Sequence, residues 1–381
     1  MTITTNLIFS HKYSIYKEIK EIFKLIILPE KVNLAKGIHY IILLDTSSSM
    51  KGLKIEIAKR AAKELLNKIP AGNKVTFITF SNEINPVFEN ADSENLNKEV
   101  IDNIKADGPT PLYKALTYTS EVARKNSSPG FIILLTDGEP TDEVDVRKYS
   151  EIFIPNNYHI YSFGIGDEYR EEILKILSDL TGGIFYHIND PLEIIERIPK
   201  VAITEVAAKN VEIDINSPTL IRLLNYSGPP VRIGVIENTV KIIGEIIIPP
   251  NYEGNVLKIN IKYYDPVSEN EKLIEKEFNI SYTNDRNLFL NSINKELLYE
   301  YRYYELLTKY SQLIKNEKIS EATITLKSLI EISEATRRVD LIETTRKLSA
   351  MLESTKRINS SEITRRISKE VSSEITRKLR E

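Results

Sequence analysis

Five oxygen-bearing side chains lie in three short stretches: Asp45, Ser47 and Ser49 in Asp45-Thr46-Ser47-Ser48-Ser49, Thr110 in Gly108-Pro109-Thr110-Pro111-Leu112, and Asp137 in Thr136-Asp137-Gly138. All are hard donors, the kind that Mg²⁺ takes in near-octahedral geometry while keeping some of its water. Two carboxylates with three neutral hydroxyls bring only about two negative charges, which leaves a divalent ion electrophilic. An open coordination position would then attract a carboxylate from a partner. The same residues admit two other readings. Asp and Ser often cap a helix, but a cap after Asp45 leaves Thr110 and Asp137 unexplained. Asp45 could also act as a phosphoryl-accepting nucleophile, yet the second position after it is Ser47 rather than an acid, and no glycine-rich phosphate loop is present.

Other site chemistry is scarce. With no cysteine there is no disulfide, thiolate metal site or thiol nucleophile. His11, His39, His159 and His187 are scattered without a metal-ligand spacing and read as core or solvated histidines.

The elements that must position the five oxygens follow from hydrophobic periodicity. From residue 38 onward short apolar strands (38–44, 74–80, 130–136, 159–164 and 184–188) alternate with helical patterns, as in a doubly wound, mostly parallel α/β sheet. In 54–69, Ile57, Ala58, Ala61, Ala62, Leu65, Leu66 and Ile69 recur at helical spacing. Asp45 and Asp137 follow two of the strands, and ligands of open α/β sheets gather at the carboxyl ends of strands.

After Pro199 the texture changes to alternating strands separated by Pro, Gly and Asn turns (211–215, 231–237, 240–248, 256–264 and 273–282), which reads as an antiparallel β-sandwich. The strand-like stretch 23–29 precedes the α/β unit and is expected to join that sandwich. The division expected is therefore 1–35 (strands joining the sandwich), 36–200 (α/β domain), 201–284 (sandwich), 285–334 (helical domain) and 335–381 (a basic helical tail rich in Ser and Thr). Helices are expected at 288–314 and 319–332.

The tail carries twelve Lys/Arg against seven Asp/Glu, a net of +5, whereas the whole chain carries −3, leaving −8 on the rest. A globally basic nucleic-acid binder is excluded, but the asymmetry between tail and body is real. Thr-[Lys/Arg]-[Lys/Arg]-aliphatic occurs five times, starting at Thr336, Thr345, Thr355, Thr364 and Thr376. Intervals of 9, 10, 9 and 12 residues do not keep these threonines on one helix face. The simplest reading is aliphatic residues lining broken helical turns. A sharper one is phosphorylation of the five threonines and of Ser349, Ser360 and Ser368, which have basic residues three positions upstream. Each phosphate would add about −1.5 to −2 charges, enough in sum to reverse the sign of the tail.

No apolar run approaches the roughly 20 residues needed to cross a bilayer, and residues 1–20 show no signal-peptide pattern. A cytoplasmic protein without membrane or direct nucleic-acid contact is expected.

The Asp-x-Ser-x-Ser, Thr and Asp elements resemble, in order, the metal-ion-dependent adhesion site (MIDAS) of von Willebrand factor A (vWA) domains, over about residues 36–199. That resemblance implies that Ser47, Ser49 and Thr110 contact Mg²⁺ or Mn²⁺, while Asp45 and Asp137 act directly or through water. Pro109 departs from the family, many members of which place a glycine there. The order of strands, vWA unit, sandwich, helices and tail resembles that of the archaellum-regulatory vWA proteins, and also of the Sec23 and Sec24 coat proteins. The first resemblance implies a non-enzymatic protein that represses archaeal motility. It further implies an FHA-domain partner and control by a Ser/Thr kinase and phosphatase. An adaptor for a MoxR-type AAA+ ATPase is the alternative expectation.

Overall fold

The structure is a computed structural model, and it describes residues 1–203, 205–358 and 361–380, with the side chains of 354–364 and of 379 and 380 outside the description. The chain begins with β1 (Ile3–Phe9), a short β2 (Tyr13–Ser14), β3 (Ile19–Pro29) and a short β4 (Asn33–Leu34). An α/β stretch follows: β5 (His39–Asp45), α1 (Leu53–Lys68), β6 (Lys74–Phe80), β7 (Ile84–Asp92), α2 (Leu112–Arg124), β8 (Gly130–Thr136) and α3 (Val146–Ser150). It continues through β9 (Tyr158–Ile165), α4 (Glu171–Thr181), β10 (Phe185–Ile188) and α5 (Glu193–Arg197). Next come β11 (Glu205–Val206), β12 (Ala208–Asn216), β13 (Ile221–Leu223), β14 (Val231–Ile236), β15 (Val240–Ile248), β16 (Gly254–Asp265) and β17 (Asn270–Tyr282). The carboxyl-terminal part is helical: α6 (Arg286–Asn291), α7 (Lys295–Lys315), α8 (Ile319–Thr336), α9 (Val339–Ile358) and α10 (Ser361–Arg380).

In the six-stranded sheet the order is β10-β9-β8-β5-β6-β7, parallel except for the antiparallel edge strand β7. Both faces are covered, so β5 is apolar without alternation. Tyr40, Ile42 and Leu44 meet Ala58, Ala61 and Leu65 of α1, while Ile41 and Leu43 on the opposite face meet Leu116 of α2 and Leu174 of α4. At the end of α4, Gly182 takes the left-handed conformation (φ 69°) that stops the helix.

Two further sheets pack face to face, one ordered β1-β3-β15-β13 and the other β14-β12-β16-β17-β2. Phe23, Leu25 and Ile27 of β3 share a core with Ile213, Ile259 and Ile261 of the facing sheet. β3 pairs antiparallel with β15 from Ile19↔Ile248 to Ile27↔Val240, so strands from before and after the α/β stretch lie side by side.

On its outer side this sheet presents Ile22 and Ile243 to the helical unit. Their apolar cluster includes Tyr303, Leu307 and Tyr310 of α7, Leu348 and Leu352 of α9, and Ile367, Val371 and Ile375 of α10. The Ser/Thr-rich segment is thus part of the folded body, with α10 packed on α7 and along β10. Within the repeated tail motif the aliphatic residues behave differently: Leu348 and Ile367 are buried, whereas Val339 is exposed. No helix among the described residues is long and apolar enough to cross a membrane.

Candidate functional site

Asp45 is the last residue of β5 and Asp137 follows the last residue of the adjacent parallel strand β8. Both carboxylates are fully buried. The Asp45 Oδ1 accepts the Ser47 backbone N–H at 2.8 Å, and its Oδ2 accepts the Thr136 hydroxyl at 2.5 Å. Burial pushes the Asp45 carboxyl up to about 6 against the pull of the Thr136 and Ser47 hydrogen bonds, and the Asp137 charge adds to the rise. The Ser47 and Ser49 hydroxyls lie 3.0 Å apart, and Ser49 donates to Asp137 Oδ1 at 2.6 Å.

Thr110 reaches this group because its loop is fastened to the loop after β5. The Ser48 N–H donates to the Gly108 carbonyl at 2.9 Å, the Gly108 N–H donates to the Ser48 hydroxyl at 3.0 Å, and the Asp107 N–H donates to the Thr46 carbonyl at 2.8 Å. Lys51 pairs with Asp107 across the same junction. Gly108 has φ +92°, and a Cβ on it would collide with the Asn82 side chain at 2.6 Å. Behind the loop, the Thr110 N–H donates to the Thr141 hydroxyl at 3.2 Å and its carbonyl accepts the Thr141 N–H at 2.9 Å. Pro109 leaves this latch intact.

The structure therefore brings Asp45, Ser47, Ser49, Thr110 and Asp137 together. A methyl group added to Gly138 would lie 3.1 Å from Thr110 Oγ1 and 3.2 Å from Ser49 Oγ, so glycine keeps the space between these hydroxyls clear. Helix capping does not account for the arrangement, because Ser47 makes no side-chain cap hydrogen bond to the turn at 48–50 and the residue before α1 is Gly52, which has no side chain to cap it. Among the described residues no group of three or more His, Cys, Asp or Glu could hold a metal ion, so a cation here would depend on the hydroxyls as well as the two carboxylates. That donor set fits a hard divalent ion, which when bound would supply an electrophilic centre for an oxygen ligand.

Sequence reasoning missed Ser48, Thr136, Thr141, Asp107 and Lys54. Thr136 is adjacent to Asp137 and could have been read as a supporting hydroxyl, whereas the others make contacts that follow only from loop packing. The four histidines are all buried. His39 Nδ1 lies 2.8 Å from the Tyr158 hydroxyl, and His187 Nδ1 lies 2.6 Å from the Tyr169 hydroxyl. The Gly234 N–H donates to His159 Nε2 at 2.6 Å, joining the sandwich to the α/β unit.

A cleft of about 820 Å³ runs from Ser49, Thr110 and Gly138 to Lys315 of α7 and to Ser368 and Lys369 of α10. Here α10 is held by hydroxyls. Ser368 and Ser372 both donate to the buried Glu171, the His187 N–H donates to Ser373 Oγ at 3.1 Å, and Thr376 donates to the Phe185 carbonyl at 3.1 Å. The last two contacts satisfy backbone groups on the outer edge of β10, which an unpaired strand would leave open.

The phosphorylation candidates differ in access. Thr345, Ser368 and Thr376 are buried, with Thr345 donating to the Leu341 carbonyl. Thr336 and Ser349 are partly exposed, and Thr336 donates to the Ser333 carbonyl at 2.7 Å. Thr355, Ser360 and Thr364 lie outside the described side chains. Docked as it is, α10 offers no free hydroxyl at Ser368 or Thr376.

Comparison with known proteins places these features in a family. A von Willebrand factor type A domain profile matches residues 41–198, and a profile for the C-terminal domain of archaellum regulatory network B (ArnB) matches residues 295–381. The crystal structure of the ArnB paralog VWA2 from Sulfolobus acidocaldarius superposes with TM-score 0.84 at 30% identity, covering 100% of this chain and 98% of that one. The human COPII-coat protein Sec24c shares the fold at TM-score 0.56 and 12% identity, over 90% of this chain and 57% of its own. An uncharacterized Synechocystis protein is 27% identical over 158 residues, 40% of this chain and 38% of its own. The chain spans only 22% to 38% of the length of the first curated relatives it matches. With a vWA unit, an ArnB-type C-terminal domain and a full-length match to an ArnB paralog, this chain belongs to the ArnB-like family of vWA proteins.

Proposed function

We propose that this protein is a cytoplasmic, non-enzymatic regulator that represses archaellum expression by binding partners, with Mg²⁺ or Mn²⁺ at Asp45, Ser47, Ser49, Thr110 and Asp137. The observation that carries this reading is the single cleft that the cation-site rim shares with α10. A partner carboxylate completing the coordination shell would lie in the same cleft as Ser368 and Lys369. Family membership supplies the archaellum context.

The partner proposed is an FHA-domain protein that reads phosphothreonine in the tail, with a Ser/Thr kinase and phosphatase setting its state. Thr336 and Ser349 are half-buried in the docked state and would be the first within a kinase's reach, whereas Thr345, Ser368 and Thr376 would become substrates only when their helices lift away. A phosphate on Ser368 would face the Glu171 carboxylate, and like charges there would hold α10 off. Phosphorylation would thereby open the cleft.

Capture by an immobilised FHA-domain protein tests the reading. The phosphorylated chain is expected to be retained and the unphosphorylated chain to pass through. Replacing Thr336, Thr345, Thr355, Thr364 and Thr376 together with Val should abolish retention; retention that persists would overturn the phosphothreonine contact and shift it to the tail serines or to the vWA surface. Copurification of an AAA+ ATPase ring from native lysate in place of an FHA-domain protein would favour the adaptor role.

A further inference from the structure

Lys54 lies in the first turn of α1, and its ammonium pairs with Oδ2 of Asp137. The Asp137 side chain is 0% exposed while that of Lys54 is 31% exposed. The other Asp137 oxygen accepts the Ser49 hydroxyl. Asp45, by contrast, accepts from neutral donors, the Ser47 amide and the Thr136 hydroxyl. Of the two buried carboxylates at the site, Asp137 is thus the one with an internal counter-charge.

A buried carboxylate stripped of its counter-charge is strongly destabilising. Lysine supplies a compact point charge on a flexible four-carbon stem, and that stem has a route to solvent here. A divalent ion drawing on Asp137 would meet this ammonium at the same carboxylate, where two cations repel each other. We infer that Lys54 is a built-in competitor for the cation site: its ammonium neutralises Asp137 until a divalent ion displaces it, and so sets the affinity of the site. Loading then swings one positive charge to the rim of the cleft. This rests on the cation-site assignment made under the proposed function.

Calorimetric titration of the full chain with MnCl₂ tests the inference, comparing the wild type with Lys54→Met, Lys54→Arg and Ser49→Ala. Lys54→Met should bind Mn²⁺ about tenfold more tightly than wild type, within the usual range of coupling between competing sites, while Lys54→Arg should stay near wild type. Without divalent ion Lys54→Met should melt below wild type, because Asp137 stays buried without its partner. Millimolar Mn²⁺ should raise its melting temperature by more than that of wild type. Lys54→Gln, which keeps a donor but no charge, replaces the Met variant if that one does not fold. Equal affinities in wild type and the Met or Gln variant, with binding lost in Ser49→Ala, would overturn the competitor role and leave the cation site standing. Absence of Mn²⁺ binding in every protein would overturn the site assignment and this inference with it.

Discussion

The hydroxyl of Ser49 donates to the carboxylate of Asp137, 88 residues further along the chain, at 2.6 Å. Gly138, the next residue, lies close enough that an added methyl would press on both Ser49 and Thr110. Gly138→Ala is therefore expected to push two donors a few tenths of an ångström out of place. Both are side-chain ends that can move, so the stability cost should stay near ~1 kcal/mol, while Mn²⁺ affinity falls by about tenfold or more, the scale seen when ligands lose their orientation. Calorimetry and thermal melting on one preparation separate these effects, and unchanged affinity would place the ion elsewhere.

His39 is expected to make the fold acid-sensitive. Its two ring nitrogens lie 2.8 Å from the Tyr158 hydroxyl and 2.9 Å from the Thr76 hydroxyl, and burial, with a smaller push from Lys74, lowers its pKa from 6.5 to about 4. The folded state keeps this ring neutral while the unfolded chain takes a proton below about 6.5. Stability from this residue is therefore complete above pH 6.5 and lost as the pH falls toward 4, by about 3 kcal/mol in all. Urea unfolding between pH 7 and 4 should show that slope in wild type and a flatter one in His39→Gln.

Glu237 should act in the opposite sense. Burial pushes its carboxyl up from 4.5 to about 7, although a hydrogen bond from Asn238 opposes the rise. Between those values the folded state binds the proton more tightly than the unfolded chain, so stability grows as the pH falls from 7 to 4.5 and is lost on the way back up. The expected size is about 2 kcal/mol once partial solvent access is allowed for. Glu237→Gln should be more stable than wild type at pH 8 and nearly equal to it at pH 4; equality at both values would show that the group is not buried as a charge.

Docking of α10 should depend on its serines. Burial raises the pKa of Glu171, and the hydrogen bonds from Ser372 and Ser368 work against that rise. Ser368→Ala with Ser372→Ala deprives a buried carboxylate of both donors, at a cost of about 1–3 kcal/mol. The His187 amide, which donates to Ser373, reports the consequence. Its hydrogen exchange should accelerate in the double variant together with that of residues 365–378 while the β5 amides stay protected, since docked elements open independently of the core. Exchange that remains slow would mean that Ile367, Val371 and Ile375, with the Ser373 and Thr376 contacts to β10, hold the helix without the Glu171 hydrogen bonds.

Much of the architecture was legible in the amino-acid order because burial of one face or both leaves a periodic trace. Runs such as 74–80, 130–136 and 240–248 coincide with observed strands, and helix 54–69 differs from α1 by one residue at each end. β7 was not legible: it is an edge strand whose Asn85, Pro86, Glu89 and Asn90 face solvent, so it lacks an apolar signature. Asp45, Ser47, Ser49 and Asp137 could be collected from the ends of β5 and β8, because side chains at the carboxyl edge of a parallel sheet have only one place to meet. Thr110 instead lies in the loop before α2 and is brought there by the fastening of Gly108 to Ser48.

Tertiary structure alone decided the partners of those groups. Nothing local pairs Lys54 with Asp137, fastens Gly108 to Ser48, or sets Ser368 and Ser372 against Glu171. Read along the chain, the hydroxyls of the tail resemble a string of modification sites; folded, several of them serve the edge of β10 and a buried carboxylate. The reason is physical: periodicity records how much of a side chain is removed from water, whereas the identity of what replaces the water depends on surfaces brought together from distant parts of the chain.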